Sequence, residues 1–387
     1  MPHTTTTTPP KAHQNAKLGK IPEGWKVVKF KDIATFNPKS ENLPEKFIYI
    51  DLDSVKNGRL RQKNLIHKSS APSRAQRLLT KDDILFQTVR PYQKNNLFFK
   101  KSGDYVASSG YAQIRAKQCS GFVYQLIYSQ YINNQVMAIC TGTSFPAISS
   151  KDLSRVNIKL PPLPEQQKIA QILSTWDKAI ATQEKLIAQK QQLKKGLMQD
   201  LLTGKKRFTG FTEEWEEVKL GDVCVKKSSN LAANSILDRD GNYKVYGATG
   251  FLQKVDFYNE EDKYISIVKD GAGVGRVLLC ESKSSVLGTL DVIRNEPNID
   301  IYYLYLLLSQ INFKKYIIGS TIPHIYFKDY KLEKILLPSS REQQKIASVL
   351  SSMDKEIEQL IQHKTALVQQ KQGLMQVLLS GEKRVKI

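Results

Sequence analysis

Near the end of the chain, apolar side chains recur at a seven-residue step: Ile346, Met353, Leu360, Leu367 and Leu374, joined by Val349, Leu350, Ile357 and Leu378. This spacing lays an apolar stripe along one side of a helix, the seam of a coiled coil. Gln, Lys, Glu and Ala fill most positions between, and all favour helix. An earlier segment carries the same stripe through Ile169, Ile172, Trp176, Leu186, Leu193 and Leu197, but sets polar Gln183 and Lys190 where its counterpart has Leu360 and Leu367. Two long helices are therefore predicted, the first with a weaker seam at mid-length. Running from Glu165 to Thr203, it would span roughly 58 Å at 1.5 Å per residue. Gly204 and Gly381 each follow a Leu-Leu pair and a hydroxyl residue, the place of a left-handed C-terminal cap, with Lys and Arg beyond to offset the helix dipole.

Elsewhere the period shortens. FIYIDLDSV from Phe47, KDDILFQTV from Lys81, YISIVKDG from Tyr264 and SSVLGTLDVIR from Ser284 are β-branched and aromatic with turn residues around them, which predicts strands. YLYLLLSQ from Tyr303 and VYQLIYSQYINNQV from Val123 repeat their apolar residues at three- and four-residue steps, which predicts helix.

The chain is an internal duplication. EQQKIA at Glu165–Ala170 returns verbatim at Glu342–Ala347, an offset of 177 residues. The same offset lays GLMQDLLTGKKR from Gly196 over GLMQVLLSGEKR from Gly373, and GTSFPAI from Gly142 over GSTIPHI from Gly319. WKVVKFKD from Trp25 resembles WEEVKLGD from Trp215 at an offset of 190. Each repeat is a variable globular part followed by a near-constant helix. At 387 residues the chain also exceeds the length at which single cores stop growing. The expected fold is mixed α+β: two α/β domains separated by two long antiparallel coiled-coil helices, related by a pseudo-two-fold internal repeat. The expected boundaries are a disordered Thr/Pro-rich leader at 1–18, a first domain at 19–160, a first helix at 161–204, a second domain with a short linker at 205–337, and a second helix and tail at 338–387.

Charge narrows the class of partner. A formal net charge of +21 favours a polyanion, nucleic acid before membrane. There is no run of 18 apolar residues and no signal-peptide core, and the four cysteines stand apart without a CxxC pair, so a reducing cytoplasm fits. No metal site or cofactor is indicated. DGAGVG at Asp270–Gly275 follows a predicted strand, but RVLLC after it is strand-like, whereas a phosphate-cradling loop opens a helix, so a glycine-rich hairpin turn is the better assignment. His67 and His324 lack partners at metal or triad spacing, PPLP at Pro161 lacks the flanking residues of an amino-methyltransferase loop, and EEDK at Glu260 is acidic in composition only. No catalytic constellation emerges. GTSFPAI and GSTIPHI serve either as tight turns with a fixed proline or as polar loops whose Thr143, Ser144 and Thr321 donate to phosphates or base edges.

At these residues the chain resembles the specificity subunit of type I restriction-modification systems: IPEGWKVVKF, a variable region, the GTSFPAI loop, PLPEQQKIAQIL, a helix closing in LMQDLLTGKKRF, and then the set again. The resemblance implies that each variable region is a target-recognition domain for one half of a bipartite double-stranded DNA site. It implies that the constant helices space the two and bind two modification (methyltransferase) subunits, with restriction subunits joining through the complex. Methylation and cleavage would then belong to those partners, and this chain would be non-catalytic by itself. Within that assignment the candidate DNA-binding residues are Arg74, Arg90, Lys94, Arg115, Ser144 and Lys151 in the first domain, with Lys269, Arg276, Arg294, Thr321, His324 and Lys328 in the second. Because two identical partners need two identical surfaces, the repeated helix ends are the candidate docking sites: Glu165, Gln166, Ile169, Leu197 and Met198, with Glu342, Gln343, Ile346, Leu374 and Met375. The competing functions are a coiled-coil adaptor that binds only proteins, and an enzyme acting alone as methyltransferase or nuclease.

Overall fold

The structure is a computed structural model that describes residues 20–40 and 42–387; the expected leader lies outside the described residues. The chain divides into two compact units, Met1–Gln183 with His363–Ile387, and Glu184–Gln362. Both divisions fall inside the long helices, Leu163–Leu202 and Ser340–Ser380. Each unit thus holds the start of one helix and the end of the other.

In the first unit, Lys26–Lys29 pairs antiparallel with Asn157–Leu160, joining the beginning of the globular part to its end. Between them lie two four-stranded sheets. One is ordered Asn64–His67, Lys46–Ile50, Tyr105–Ser108, Ala75–Leu78, with the middle pair parallel. The other is ordered Ala34–Phe36, Tyr111–Ala116, Ile84–Gln87, Leu97–Phe98. The second unit repeats the plan. Glu216–Lys219 pairs with Lys334–Leu337, and a four-stranded sheet runs Cys224–Ser228, Leu290–Asn295, Tyr264–Val268, Val277–Cys280. Its smaller sheet keeps one parallel pair, Tyr243–Gly247 with Ser284–Val286.

The expected strands hold with two adjustments: FIYIDLDSV is strand only to Ile50, with Val55 opening a separate two-residue strand, and SSVLGTLDVIR is two strands around a turn, not one. VYQLIYSQYINNQV is likewise two helices, Ser120–Leu126 and Gln130–Ile139, because the backbone turns extended at Ser129, which opens the second. Ile301–Gln310 is helical, started by Asp300, whose carboxylate accepts from the amides of Tyr302 and Tyr303. Among the described residues no helix is long and apolar enough to cross a membrane.

The cores explain why helices and domains are inseparable. Ile169 and Leu173 from the first long helix and Met375, Leu378 and Leu379 from the second are buried with Phe30, Phe122, Leu126, Ile132 and Ile158 of the first globular part. Leu201, Leu202, Ile346 and Leu350 are buried with Leu220, Ile265, Tyr303 and Tyr330 in the second. The antiparallel course is direct within each unit: Asp177 meets Lys371 in the first, while Lys190 and Lys194 meet Glu356 and Asp354 in the second. Lys190 lay at the expected weak point of the seam, and there it pairs with Glu356 across the two helices. Both caps take the expected form, with Gly204 at φ +70° and Gly381 at φ +78°. At Gly381 a Cβ would stand 2.2 Å from Pro22 Cγ, so only glycine lets the chain's end close on its beginning.

Leu379 is fully buried in the first core. Leu379→Ala should cost roughly 2–5 kcal/mol, read as a lowered urea midpoint with the circular dichroism of the folded state unchanged.

Candidate nucleic-acid interface and the helix clasps

The hexapeptide repeat resolves into a polar clasp built twice. Glu165, fully buried, accepts two hydrogen bonds from Arg384, from Nε at 2.7 Å and Nη2 at 2.8 Å, and one from the Trp25 indole at 3.0 Å. In the second unit Glu342 accepts from Arg207 Nε at 3.0 Å and Nη2 at 2.7 Å, and from the Trp215 indole at 3.0 Å. The carboxylate hydrogen bonds hold Arg384 and Arg207 above the ordinary guanidinium value. The next residue closes the helix start: Gln166 donates from its side chain to Pro161 O and Gln343 to Pro338 O, each at 2.9 Å. Further along, Asp177 takes Gln125 Nε2 at 2.7 Å together with Lys371, while Asp354 takes the Tyr302 hydroxyl together with Lys194.

The expected docking residues face mostly inward. Glu165, Gln166, Ile169, Glu342, Gln343, Ile346 and Met375 are buried inside their own units, and Leu197, Met198 and Leu374 are half-buried against the same cores. These ten side chains hold each unit together and leave little of themselves for a partner. Identical residues that do face solvent include Gln167, Lys168 and Lys178, matched by Gln344, Lys345 and Lys355, with Gly196 and Gln199 matched by Gly373 and Gln376.

The second repeated feature is a loop on each globular part. In the first unit Thr141 and Ala147 exchange backbone hydrogen bonds of 2.9 Å, Arg90 N–H donates to Pro146 O at 2.7 Å, and Ile148 N–H to Thr88 O at 3.0 Å. In the second, Ile318 and His324 exchange bonds of 2.9 and 2.8 Å, Gly271 N–H donates to Pro323 O at 2.9 Å, and Ile325 N–H to Lys269 O at 3.0 Å. Every partner in the second set that belongs to the GTSFPAI-like loop lies 177 residues after its counterpart. The repeated loop therefore clamps the segment that leaves the middle of the sheet, RPYQK after Ile84–Gln87 in one unit and KDGAGVGR after Tyr264–Val268 in the other.

The clamped segments differ in how they turn. Arg90 and Lys94 take left-handed backbone at φ +53° and +54°, on either side of the turn Pro91–Gln93. Such conformations cost of order 1–3 kcal/mol each and persist only where surrounding contacts over-determine them. Buried Gln87 and Asn96 do so here: Asn96 accepts from Gln87 N–H at 2.8 Å, and the Gln87 side chain donates to Val89 O at 2.8 Å and Gln93 at 2.9 Å. In the second unit Gly271, Gly273 and Gly275 adopt the left-handed region instead. A strand, Val277–Cys280, follows, as a hairpin turn requires.

The candidate residues gather unevenly on these loops. Arg90, Lys94 and Ser144 lie on the first clamped pair, and Lys269, Arg276, Thr321 and His324 on the second. Lys151 and Lys328 are exposed at matching places on the short helices that follow, Ser150–Leu153 and Phe327–Tyr330. Arg74 is exposed, and its carbonyl accepts from Ser109, one residue before Gly110, whose carbonyl Thr88 engages. Several cations already have partners. Lys269 donates to buried Asp291 at 3.2 Å, and His324 Nδ1 stands 2.8 Å from Asp270. Arg115 grips buried Asp83 through Nε at 2.8 Å and Nη2 at 2.9 Å, and Arg294 grips buried Glu260 together with Lys227. Arg115 and Arg294 occupy equivalent places in equivalent sheets, next to Ile114 and Ile293, which pair with Ile84 and Ile265. They brace the sheet, a role that the exposed look of arginine in sequence conceals. Burial pushes the Cys224 and Cys280 thiols up to about 12, which makes them packing residues and not nucleophiles.

Two related α/β modules, each presenting a clamped basic loop and each clasped by two antiparallel helix segments, make this an internally duplicated protein. The chain belongs to the type I restriction modification DNA specificity domain family, which matches residues 22–192 and 212–370. It is 26% identical over 417 residues to the specificity subunit of type I restriction enzyme MjaVIII of Methanocaldococcus jannaschii, with 95% of each chain covered. A putative MjaX specificity subunit of the same organism is 30% identical over 269 residues, 62% of each chain. A solved type I restriction-modification S subunit from M. genitalium shares the fold, with a TM-score of 0.66 at 18% identity over 93% of this chain and 97% of that one.

Arg384→Ala strands the buried Glu165 carboxylate and should lower thermal stability. Adding Glu165→Gln should recover part of the loss, a positive coupling that a double-mutant cycle by thermal unfolding measures.

Proposed function

We propose that this chain is a non-catalytic, sequence-specific DNA-binding specificity subunit. It reads one half of a bipartite, asymmetric double-stranded target with each globular part and carries two modification (methyltransferase) subunits, with restriction subunits joining through the complex. A cytoplasmic location follows from that role. The observation that carries this is the pair of loops whose backbones are clamped alike while their side chains differ. A conserved scaffold with changed chemistry is what two readers of different bases require. In the first reader Arg90, Lys94, Arg74 and Lys151 are the contact set, with Ser144 as a hydroxyl donor. In the second they are Arg276, His324, Lys328 and Thr321, with Lys269 steered by Asp291. Arginine suits bidentate recognition of guanine, and lysine suits phosphate. Arg115 and Arg294 act behind them, holding the sheets from which the loops leave.

The net charge of +21 supports this assignment, because each neutralised phosphate releases counterions. A coiled-coil adaptor that binds only proteins gives that charge no use. For the modification subunits, the solvent-facing identities give two equivalent surfaces: Gln167, Lys168, Lys178, Gly373 and Gln376 on one unit, with Gln344, Lys345, Lys355, Gly196 and Gln199 on the other. They replace the buried ends as the docking set.

Gel shifts over a salt series should show affinity falling steeply as salt rises; a flat response would instead favour the adaptor. On the target found by methylation mapping of the host genome, Arg90→Ala should cost roughly 1–3 kcal/mol and relax selectivity in one half-site only. Equal weakening on every sequence would make Arg90 a phosphate contact. Lys168→Glu should reduce the modification subunits retained on co-purification from two to one, and Lys168→Glu with Lys345→Glu should retain none. Full retention by the folded double variant would exclude this surface.

A further inference from the structure

We propose that Phe145 and Ile322 are apolar wedges, one per recognition unit, that press between stacked base pairs and unstack one step in each half of the target. This rests on the DNA-reading assignment above and adds a mode of recognition to it.

Phe145 is 61% exposed and Ile322 is 56% exposed. A single exposed apolar side chain is ordinary on a protein surface. Two large ones at the same place in diverged loops, 177 residues apart, are not ordinary. Each stands immediately before the clamped proline, Pro146 or Pro323. Three residues on, Ile148 and Ile325 turn inward and are buried. The loop therefore spends one apolar residue on its own core and holds the other out to water.

The outward residue is also held rigidly. Gly142 and Gly319 open the loops at φ +91° and +86°. A Cβ there would stand 3.1 Å from Phe145 O and 2.6 Å from Ile322 O, so each glycine is needed for the loop to fold back beneath the projecting residue. With the backbone bonds to Arg90 and Gly271, and the ring of the following proline, the backbone that carries the projecting side chain arrives already ordered. Little conformational freedom then remains to be lost on binding.

The surroundings favour a nucleic acid over an apolar protein surface. The Arg90 guanidinium carbon lies 4.3 Å from the Phe145 ring centroid, and exposed Ser144 and Thr321 hydroxyls precede the two projecting residues. An apolar tip framed by a cation and hydroxyl donors matches a base step framed by phosphates. Phe, Ile and Pro are among the side chains that wedge such steps, at an unstacking cost repaid by added contacts.

The test uses the full chain and a duplex carrying the mapped target, with 2-aminopurine placed at each step in turn. The expected result is enhanced fluorescence at one step in each half-site. Phe145→Ala should return one of them to the level of free duplex, and Ile322→Ala the other. Each variant should lose about tenfold or more in affinity for the target, with affinity for a random duplex of the same length unchanged. Phe145→Leu should keep the signal, because it keeps an apolar tip. Specific binding without any unstacked step, or signals untouched by both alanine variants, overturns the wedge and leaves DNA reading intact. No salt-dependent binding to any duplex overturns the assignment beneath it. Loss of a modification subunit in Ile322→Ala, with DNA binding retained, would make the tip a protein contact and also refute the proposal.

Discussion

A carboxylate sealed at the start of each long helix is the constraint on which the rest of the molecule depends. A buried charge is tolerable only when it is paired and its oxygens are satisfied. Glu165 meets that demand with an arginine from the end of the other helix and an indole from its own globular part, and Glu342 does the same. Three separate regions of chain must converge before either unit is complete. In the first unit that arginine is Arg384, which lies 219 residues along the chain from Glu165. Four of the six repeated residues follow from this: the Glu, the first Gln, the Ile and the Ala each have an internal partner, so neither copy can change them without exposing a charge, a helix start or a core, while Gln167 and Lys168, like Gln344 and Lys345, face solvent.

Mid-helix ion pairs add direction to this attachment. Asp177 with Lys371, and Lys194 with Asp354, are the same pair with the donor and acceptor helices exchanged. An apolar stripe alone tolerates sliding by a turn or reversal of direction, whereas a charge opposite a like charge does not. Within each unit the seam is therefore apolar for cohesion and charged for register. Gln125 and Tyr302 reach the same aspartates from the globular parts, so helix register and domain placement are set at one point.

The clamped loops divide the labour differently. Their backbone bonds coincide, while their side chains and their means of entering left-handed conformation do not: Arg90 and Lys94 in one, three glycines in the other. Hydrogen bonds between backbone groups are indifferent to side-chain identity, so the clamp survives substitution of the residues it presents. This lets one fold present two different loop surfaces.

Periodicity and the 177-residue repeat were enough to establish two α/β parts and two long helices with glycine caps, and the charge favoured a polyanionic partner. These features are local or additive, and sequence carries them in full. Among the candidate loop residues the repeat marks only Ser144, Thr321 and His324; Arg90, Lys94, Lys269 and Arg276 were chosen for charge and loop position. What the sequence left open was which repeated residues face inward. GKKR and GEKR read as ordinary basic helix ends, yet Arg207 and Arg384 are the counter-ions of buried acids more than a hundred residues away. Arg115 and Arg294 likewise resembled contact residues and are braces on Asp83 and Glu260. Only the tertiary structure decides this, because the partner of a charge depends on which distant segments meet, and residue type alone does not record whether that partner lies inside the protein or outside it.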